Sequence, residues 1–191
     1  MAISFDTDHN PIVGKAEKLE DDLVVITADN ASPMTFTGTR TYILGTENLI
    51  VIDPGPNSEA HLSSIMKYIG KRKVTDILLT HSHIDHSPLS RQLKTETGAR
   101  IIGFGSADEA RTSFMKKLSS SLDLGGEEGI DKDLTLDEKV VEKQILKLNN
   151  YRIEVVHTPG HLSNHICFSL KERQILFSGD HVMGWATTLI S

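Results

Sequence analysis

Residues 77–88 read ILLTHSHIDHSP, which places three histidines and an aspartate within six residues directly after an apolar run. The apolar run has the composition of a strand buried on both faces of a sheet. His81 and His83 stand two residues apart where that strand ends, and alternate strand residues point the same way, so both imidazoles can reach one ion. Asp85 and His86 follow in a turn before the next helix, where they can reach a second ion. Imidazole and carboxylate ligands suit Zn²⁺ and also accept Mn²⁺ or Fe, whereas the competing interpretation is a polar loop with solvated histidines.

Two later segments, VVHTPGHLSNH and ILFSGDHV, repeat this layout, in which a strand ends in glycine and polar residues. His161 follows Gly160 in the first segment, and Asp180 follows Gly179 in the second. An earlier segment, VIDPGP, places Asp53 at a fourth strand end. Polar residues at the carboxyl ends of neighbouring strands converge on one crevice, so core packing explains this pattern poorly. We predict that Asp53 accepts a hydrogen bond from a ligand histidine.

The remaining pattern predicts a mixed sheet covered by helices. Strands are predicted at residues 23–28, 35–44, 48–55, 74–80 and 99–105, with three more between 146 and 180. The second and third strands form a hairpin around the turn GTEN, and residues 57–70 and 87–98 predict helices that end at glycines. Hairpins followed by β-α-β units indicate the α+β class. The tail GWATTLIS is strand-like, and His61 on the first helix is expected to face solvent.

Composition predicts a single globular domain over residues 1–191, with a mobile surface insertion at about 106–133 that is polar and lacks periodicity. The formal charge of −6 gives no basic footprint for nucleic acid, although two bound divalent cations could attract a phosphate. The single cysteine, Cys167, excludes an intrachain disulfide. No apolar run reaches the length of a signal peptide or a membrane span, so we predict a cytoplasmic protein without membrane contact.

The motifs THSHIDH, HTPGH and SGDH resemble those of the metallo-β-lactamase superfamily, in the same order, and the resemblance extends over residues 37–191. The phrases FTGTRTYILG, IDPGP and FSGDHVMGW resemble more specifically its β-lactamase-like protein 2 branch, which is also labelled hydroxyacylglutathione-hydrolase-like. The resemblance implies a four-layer αβ/βα sandwich. It also implies a dinuclear zinc hydrolase in which a hydroxide between the two cations is the nucleophile.

Carried onto this chain, the resemblance implies that His81, His83 and His161 hold the first metal. Asp85 and His86 then hold the second metal, and Asp180 bridges the two. Asp85 is also the candidate catalytic residue, since it would orient the hydroxide or shuttle its proton. True zinc β-lactamases place a cysteine among the ligands of the second metal, whereas the corresponding polar residue here is Asp180. Antibiotic hydrolysis as the natural role is therefore disfavoured.

The resemblance also predicts that the second metal site of this chain lacks one ligand. The family normally completes its second metal site with one more histidine, from a later strand end, but only eleven residues follow Asp180. We therefore expect the chain to be a fragment that lacks much of the second half of the sandwich, with the first site intact and the second weakened. A sheet without its covering strands exposes apolar surface, which predicts a homodimer or poor solubility.

Three functional interpretations follow from the sequence. The leading one is a metal-dependent hydrolase of an ester, thioester or phosphodiester, with a slight preference for an enzyme of the β-lactamase-like protein 2 type that cleaves single-stranded RNA. The candidates for RNA contact are few: Arg40, Tyr42 and Trp185. The alternatives are a glyoxalase II-like thioesterase acting on small molecules and a truncated, inactive metal-binding remnant. His165, four residues after His161, could approach the substrate.

Overall fold

The structure, a computed structural model, describes residues 4–111, 113, 117 and 129–190. These residues form two β-sheets. The larger sheet contains seven strands whose spatial order follows the chain. They are β1 (Ala16–Glu20), β2 (Leu23–Thr27), β3 (Arg40–Leu44), β4 (Asn48–Ile52), β5 (Lys73–Leu78), β6 (Arg100–Gly103) and β7 (Glu138–Lys139). The strands β1 to β4 are antiparallel neighbours, and β4 to β7 are parallel neighbours.

The smaller sheet contains four antiparallel strands. They are β8 (Ile145–Leu148), β9 (Tyr151–His157), β10 (Ile166–Leu170) and β11 (Ile175–Phe177). The α-helices with described bounds are α1 (Glu59–Ile69), α2 (Leu89–Thr97) and α3 (Ala107–Ala110), and two short 3-10 helices cover Lys171–Arg173 and Gly179–His181. The predicted α+β class is therefore confirmed.

Two apolar cores lie on opposite faces of the larger sheet. One core fills the space between the sheets, where Ile52 and Leu78 pack against Phe168. The other lies beneath α1 and α2 and includes Val51 and Ile77. The central strands are buried on both faces because parallel strands are covered on each side, which confirms the prediction made from their continuous apolar sequence.

The predicted hairpin and the first predicted helix are confirmed. The strands β3 and β4 pair in antiparallel register around Gly45, whose φ of 122° and close approach to the carbonyl of Asn48 leave no room for a side chain. The helix α1 begins after Ser58, whose side chain accepts a hydrogen bond from a backbone N–H of the first turn, and ends at Gly70. The second predicted helix corresponds to α2, which ends before Gly98 in the left-handed conformation.

Several sequence predictions fail locally. The strands β1 and β7 were not predicted, because the first is largely exposed and polar and the second has two residues. The region 146–180 contributes to four strands rather than three, since the turn at Asn149 separates β8 from β9. The strand-like tail forms no strand among the described residues 184–190. Its polar groups bond instead to the turn after β11 and to His161.

His61 was predicted to face solvent, and this was wrong. Its side chain is buried, and its Nε2 lies 2.8 Å from the hydroxyl of Thr41. Burial lowers the pKa of His61 to about 4, so the ring is neutral at physiological pH. The ring lies against Gly55, where a side chain would meet it at about 3.0 Å. His61 is therefore a structural residue that joins α1 to the larger sheet.

Most of the insertion predicted at 106–133 lies outside the described residues. At its first end, α3 begins at a capping box formed by Ser106 and Glu109. At its other end, residues 129–131 bond to the backbone of the histidine-rich loop. No helix in the described part of the chain is long and apolar enough to cross a membrane.

Candidate metal centre

Side chains from four strand ends meet at one rim of the two sheets. The loop after β5 contributes His81, His83, Asp85 and His86, the loop between β9 and β10 contributes His161, the turn after β11 contributes Asp180, and the end of β4 contributes Asp53. The structure thus brings together all six residues that the sequence analysis assigned to metal, in two groups that share Asp180. We call these groups the histidine cluster (His81, His83, His161 and Asp180) and the carboxylate cluster (Asp85, His86 and Asp180).

The histidine cluster has the dimensions of a tetrahedral site. His83 Nδ1 lies 3.0 Å from His81 Nε2 and 2.9 Å from His161 Nε2. Asp180 Oδ2 lies 3.3 Å from His161 Nε2 and 3.9 Å from His81 Nε2. Ligands about 2.0–2.1 Å from a tetrahedral Zn²⁺ are separated from one another by about 3.3–3.4 Å. The four donor atoms are therefore spaced as they would be around one cation.

The carboxylate cluster lies on the other side of Asp180. His86 Nε2 lies 3.2 Å from Asp85 Oδ2 and 3.3 Å from Asp180 Oδ1. The two oxygens of Asp180 therefore face different clusters, one each. A single carboxylate placed in this way can serve as a ligand to two cations at once.

Hydrogen bonds on the far side of each ring fix which nitrogen faces the clusters. The Thr80 hydroxyl donates to Asp53 Oδ2 at 2.6 Å, so it can only accept from His81 Nδ1, 2.9 Å away. His86 Nδ1 donates to the same Asp53 oxygen at 2.9 Å. His161 Nδ1 donates to the carbonyl of Leu189 at 2.8 Å. In each neutral ring the proton is on Nδ1, so the lone pair of Nε2 points into the clusters.

These tautomers make the histidine cluster a cation site by its donor chemistry. His83 Nδ1 has at most one proton, which could satisfy only one of the two neighbouring Nε2 lone pairs. The other Nε2 lone pair would then have no hydrogen-bond donor. A cation at the centre satisfies all three nitrogens together, so the residues present fit a bound metal.

The two clusters differ in charge. Burial lowers the pKa of His81 well below its usual value, and burial together with His161 lowers the pKa of His83 to about 4, so both rings are neutral. Burial alone would also lower the pKa of His86, but Asp85, Asp180 and Asp53 outweigh it and raise that pKa well above the usual value. In the metal-free chain a proton on His86 therefore balances part of the charge of three surrounding carboxylates.

Asp53 is the common support of both clusters. It accepts hydrogen bonds from His86 Nδ1, from the Thr80 hydroxyl and from the backbone N–H of Thr80 at 2.8 Å. Its φ of 48° is unusual for a residue other than glycine, and such conformations persist where the surroundings determine them strongly. Through Thr80 its carboxylate orients His81, and directly it orients His86.

His165, considered as a residue that could approach the substrate, is fully buried behind the centre. Its Nδ1 lies 2.8 Å from the Thr158 hydroxyl, and its Nε2 accepts a hydrogen bond from the backbone N–H of Asp180 at 3.2 Å. Burial, with a smaller effect of His161, lowers the pKa of His165 to about 3. A side chain without accessible surface has no face to offer a substrate, so the structure does not support that contact. His165 instead holds the backbone at Asp180.

Two supports of the centre were missed from the sequence. Thr39 donates from its hydroxyl to Asp85 Oδ2 at 2.8 Å, and Asn30 bonds to both the hydroxyl and the backbone of Thr39. Asp131 accepts a hydrogen bond from the Ser87 hydroxyl, and both of its carboxylate oxygens accept from the Arg91 guanidinium. These bonds hold the histidine-rich loop in place. Thr39 is 46 residues from Asp85, and Asp131 is 40 residues from Arg91 and 44 from Ser87, so no local spacing could reveal these two supports.

A sandwich of two sheets with a histidine and aspartate cluster at one rim, able to hold metal, defines a class of metal-dependent proteins. A model of the metallo-beta-lactamase superfamily matches residues 34–190, and the chain belongs to that superfamily. A Beta-lactamase domain protein from Burkholderia ambifaria has the same fold, with a TM-score of 0.74 and 19% identity over 96% of this chain and 59% of that one.

Curated relatives agree with the family. The chain is 31% identical to a Beta-lactamase-like protein 2 homolog of Drosophila melanogaster over 93% of its length and 58% of the relative. It is 31% identical to a Hydroxyacylglutathione hydrolase of Haemophilus influenzae over 70% of its length and 61% of the relative. It is 27% identical to an Atrochrysone carboxyl ACP thioesterase of Aspergillus terreus over 96% of its length and 51% of the relative. The chain thus spans between one half and three fifths of these relatives.

Proposed function

We propose that this chain carries the catalytic centre of a metal-dependent hydrolase that cleaves a thioester or ester, with two zinc ions as its cofactors. The observation that carries the proposal is that the two carboxylate oxygens of Asp180 face different clusters of donor atoms. Two adjacent sites that share a carboxylate are the arrangement used by hydrolases with two metals. Two of the relatives, a thioesterase and a hydroxyacylglutathione hydrolase, are named for cleaving thioesters.

The surroundings of the centre favour a thioester over the RNA phosphodiester that the sequence analysis put first. Among the three candidates for RNA contact, Tyr42 packs edge to face on Phe177 between the sheets, which leaves Arg40 and Trp185 beside the centre. Of these two residues, only Arg40 is cationic. A channel for a nucleic-acid backbone requires several cations, so one arginine gives weak support for RNA.

In this proposal His81, His83 and His161 would hold one zinc ion, Asp85 and His86 would hold the other, and Asp180 would contribute an oxygen to each. Bound divalent cations polarise a carbonyl group and lower the pKa of water, which supplies a nucleophile at neutral pH. Asp85 orients the attacking water, because the Thr39 hydroxyl fixes one of its oxygens at the mouth of the carboxylate cluster. Asp53 keeps the rings of His81 and His86 in the orientation that binding requires.

The experiment combines metal analysis with a panel of substrates. The purified chain is stripped with EDTA, reloaded with Zn²⁺, and assayed with lactoyl-glutathione, an acyl N-acetylcysteamine thioester and a single-stranded RNA. We expect turnover of at least one thioester that EDTA abolishes and zinc restores. His83→Ala should lose bound metal and turnover, whereas His181→Ala, next to Asp180 but exposed, should keep both.

Other outcomes would contradict the proposal. Cleavage of RNA together with inertness toward both thioesters would establish the phosphodiesterase interpretation instead. Bound zinc without turnover of any substrate would favour the inactive metal-binding remnant. Turnover that persists after the metal is removed would exclude the metal-dependent mechanism.

A further inference from the structure

A cleft of about 280 Å³ opens beside the two clusters. One side of the cleft is formed by ligand residues of both clusters, including His83, His161 and Asp180. The other side is formed by apolar side chains from two segments of the chain. These are Pro33, Met34, Met183, Trp185, Ala186 and Leu189. The proposed hydrolysis uses the polar side and leaves the apolar side unexplained.

Trp185, the aromatic residue of the apolar wall, stacks on Phe36, which supports it from outside the cleft lining. Trp185 and Phe36 lie with their ring centroids 5.2 Å apart and their planes 14° apart. Phe36 adopts a φ of 53°, in a region that costs a residue other than glycine about 1 kcal/mol or more. The turn that imposes this conformation is closed by hydrogen bonds between Ser32 and Phe36 and between Thr35 and Ser32. A strained aromatic residue beside a metal centre is a common sign of a functional constraint.

The segment that carries Trp185 is tied to the protein at three points. The backbone N–H of Asp6 donates to the carbonyl of Gly184 at 2.8 Å. The Thr188 hydroxyl lies 2.8 Å from the carbonyl of Asp180, which joins the segment to the shared ligand. His161 donates to the carbonyl of Leu189. The wall and the clusters are therefore parts of one structure, and their separation is fixed.

The side chains of the apolar wall favour one class of ligand. The indole of Trp185 and the side chains of Met34 and Met183 are polarisable surfaces that bind flat apolar groups. An engineered cavity of about 150 Å³ accepts benzene, so a cleft of about 280 Å³ has room for a substituted or bicyclic ring. We propose that this cleft binds the acyl group of the substrate, an aromatic acyl chain whose carbonyl carbon lies at the clusters. The identity of this group as an acyl chain rests on the proposed function.

A nucleobase is the less favoured occupant. Recognition of a base requires donors and acceptors along its edge. Apart from the cluster residues, the polar side chains that line the cleft are Thr35 and Thr187. The Thr35 hydroxyl is already bonded to the carbonyl of Asn30 at 2.5 Å. The lining therefore offers a base stacking contacts but few hydrogen-bond partners, whereas an apolar ring requires no such partners.

Trp185 provides a direct test, because it is the only tryptophan of the chain. The zinc-loaded protein is titrated with 3-phenylpropionate, propionate and uridine monophosphate while tryptophan emission is recorded. We expect 3-phenylpropionate to shift the emission and to bind at least tenfold more tightly than the other two. Met34→Ser should weaken that binding severalfold, since Met34 lines the cleft and is exposed enough to be replaced without loss of folding. Leu19→Ser, on the exposed strand β1, is the matched control and should change nothing.

The outcomes separate this proposal from the proposed function. Equal binding of 3-phenylpropionate and propionate, or equal effects of the two variants, would overturn the aromatic acyl pocket. Tighter binding of uridine monophosphate would replace it with a base-stacking site. Tight and Met34-dependent binding of 3-phenylpropionate without any thioester turnover would support the pocket and contradict the hydrolase. Thioester turnover without a preference for 3-phenylpropionate would support the hydrolase and contradict the pocket.

Discussion

The histidine cluster and the carboxylate cluster share Asp180, but they are supported differently and differ in the charge around their histidines. His81 and His161 donate to neutral partners, the Thr80 hydroxyl and the carbonyl of Leu189. His86 is surrounded by three carboxylates, and the pKa of that histidine is raised by them. The first cluster thus offers neutral nitrogen donors, and the second offers negative charge.

This difference separates two requirements of a metal centre. Neutral imidazoles give preference for a metal such as zinc, through the softness of nitrogen ligands. Excess negative charge gives affinity for any divalent cation, because its attraction grows in a poorly solvated site. A cation arriving at the carboxylate cluster must displace the proton of His86, whereas the rings of His81 and His83 are already neutral. Metal binding at the two clusters should therefore depend differently on mutation and on pH.

The largest effect is expected from Asp180→Asn, which removes charge from both clusters at once. Loss of an outer partner of a ligand costs about 10–100-fold in metal affinity or activity, and loss of a shared ligand should cost more at each cluster. Competition with a chelator would measure both affinities, and His181→Ala supplies the matched control in the same turn. If Asp180→Asn weakened only one cluster, the bridging role would be wrong.

A smaller and one-sided effect is expected from Thr39→Val. Valine has nearly the shape of threonine but cannot donate to Asp85 Oδ2, so the carboxylate cluster loses an orienting hydrogen bond. We expect a roughly tenfold loss of affinity at that cluster and an unchanged histidine cluster. Stepwise zinc titration of the stripped protein separates the two. Thr39→Ser should restore the second step, and Thr37→Val, in the same loop, should leave both steps intact. Equal weakening of both steps would contradict the distinction drawn between the clusters.

The two kinds of support also explain what the sequence could predict. His81 and His83 were found because their spacing and the strand before them are local features. The burial of His61 was missed because its partner, Thr41, lies 20 residues earlier in the chain, and a helix pattern does not show which polar residue faces a buried hydroxyl. Thr39 was missed for the same reason, since it bonds to Asp85 across 46 residues. Local sequence patterns identify the ligands at strand ends, whereas the residues that hydrogen-bond to those ligands are determined by how the strands pack.

The tail after β11 shows the limit of composition. Its β-branched and aromatic residues are typical of a strand. In the structure its hydrogen bonds go to the turn at Asp180 and to His161 rather than to a neighbouring strand. The same residues place Trp185 beside the clusters. The strand propensity of the tail therefore did not predict its structure or its hydrogen-bond partners.

The smallest effect is a dependence of stability on pH in the protein stripped of metal. Burial and His161 lower the pKa of His83 from 6.5 to about 4. Between those values the unfolded chain binds more protons than the folded chain, so the free energy of unfolding should fall as the pH decreases. His86 acts in the opposite direction. Its raised pKa means that the folded chain binds more protons above pH 6.5, so stability falls as the pH increases through the folded pKa.

Urea denaturation in EDTA across this range should therefore show highest stability near pH 6.5, with an alkaline decline that comes from His86 and an acid decline to which His83 contributes. His86→Gln should flatten the alkaline decline and leave the acid decline, since glutamine has no proton to lose. His83→Gln should reduce the acid decline and leave the alkaline one, with the other buried histidines accounting for what persists. Comparison of slopes within each variant removes any uniform change in stability. An alkaline decline that survived in His86→Gln would show that the carboxylates around that ring do not hold its proton, and the electrostatic contrast between the clusters would fail.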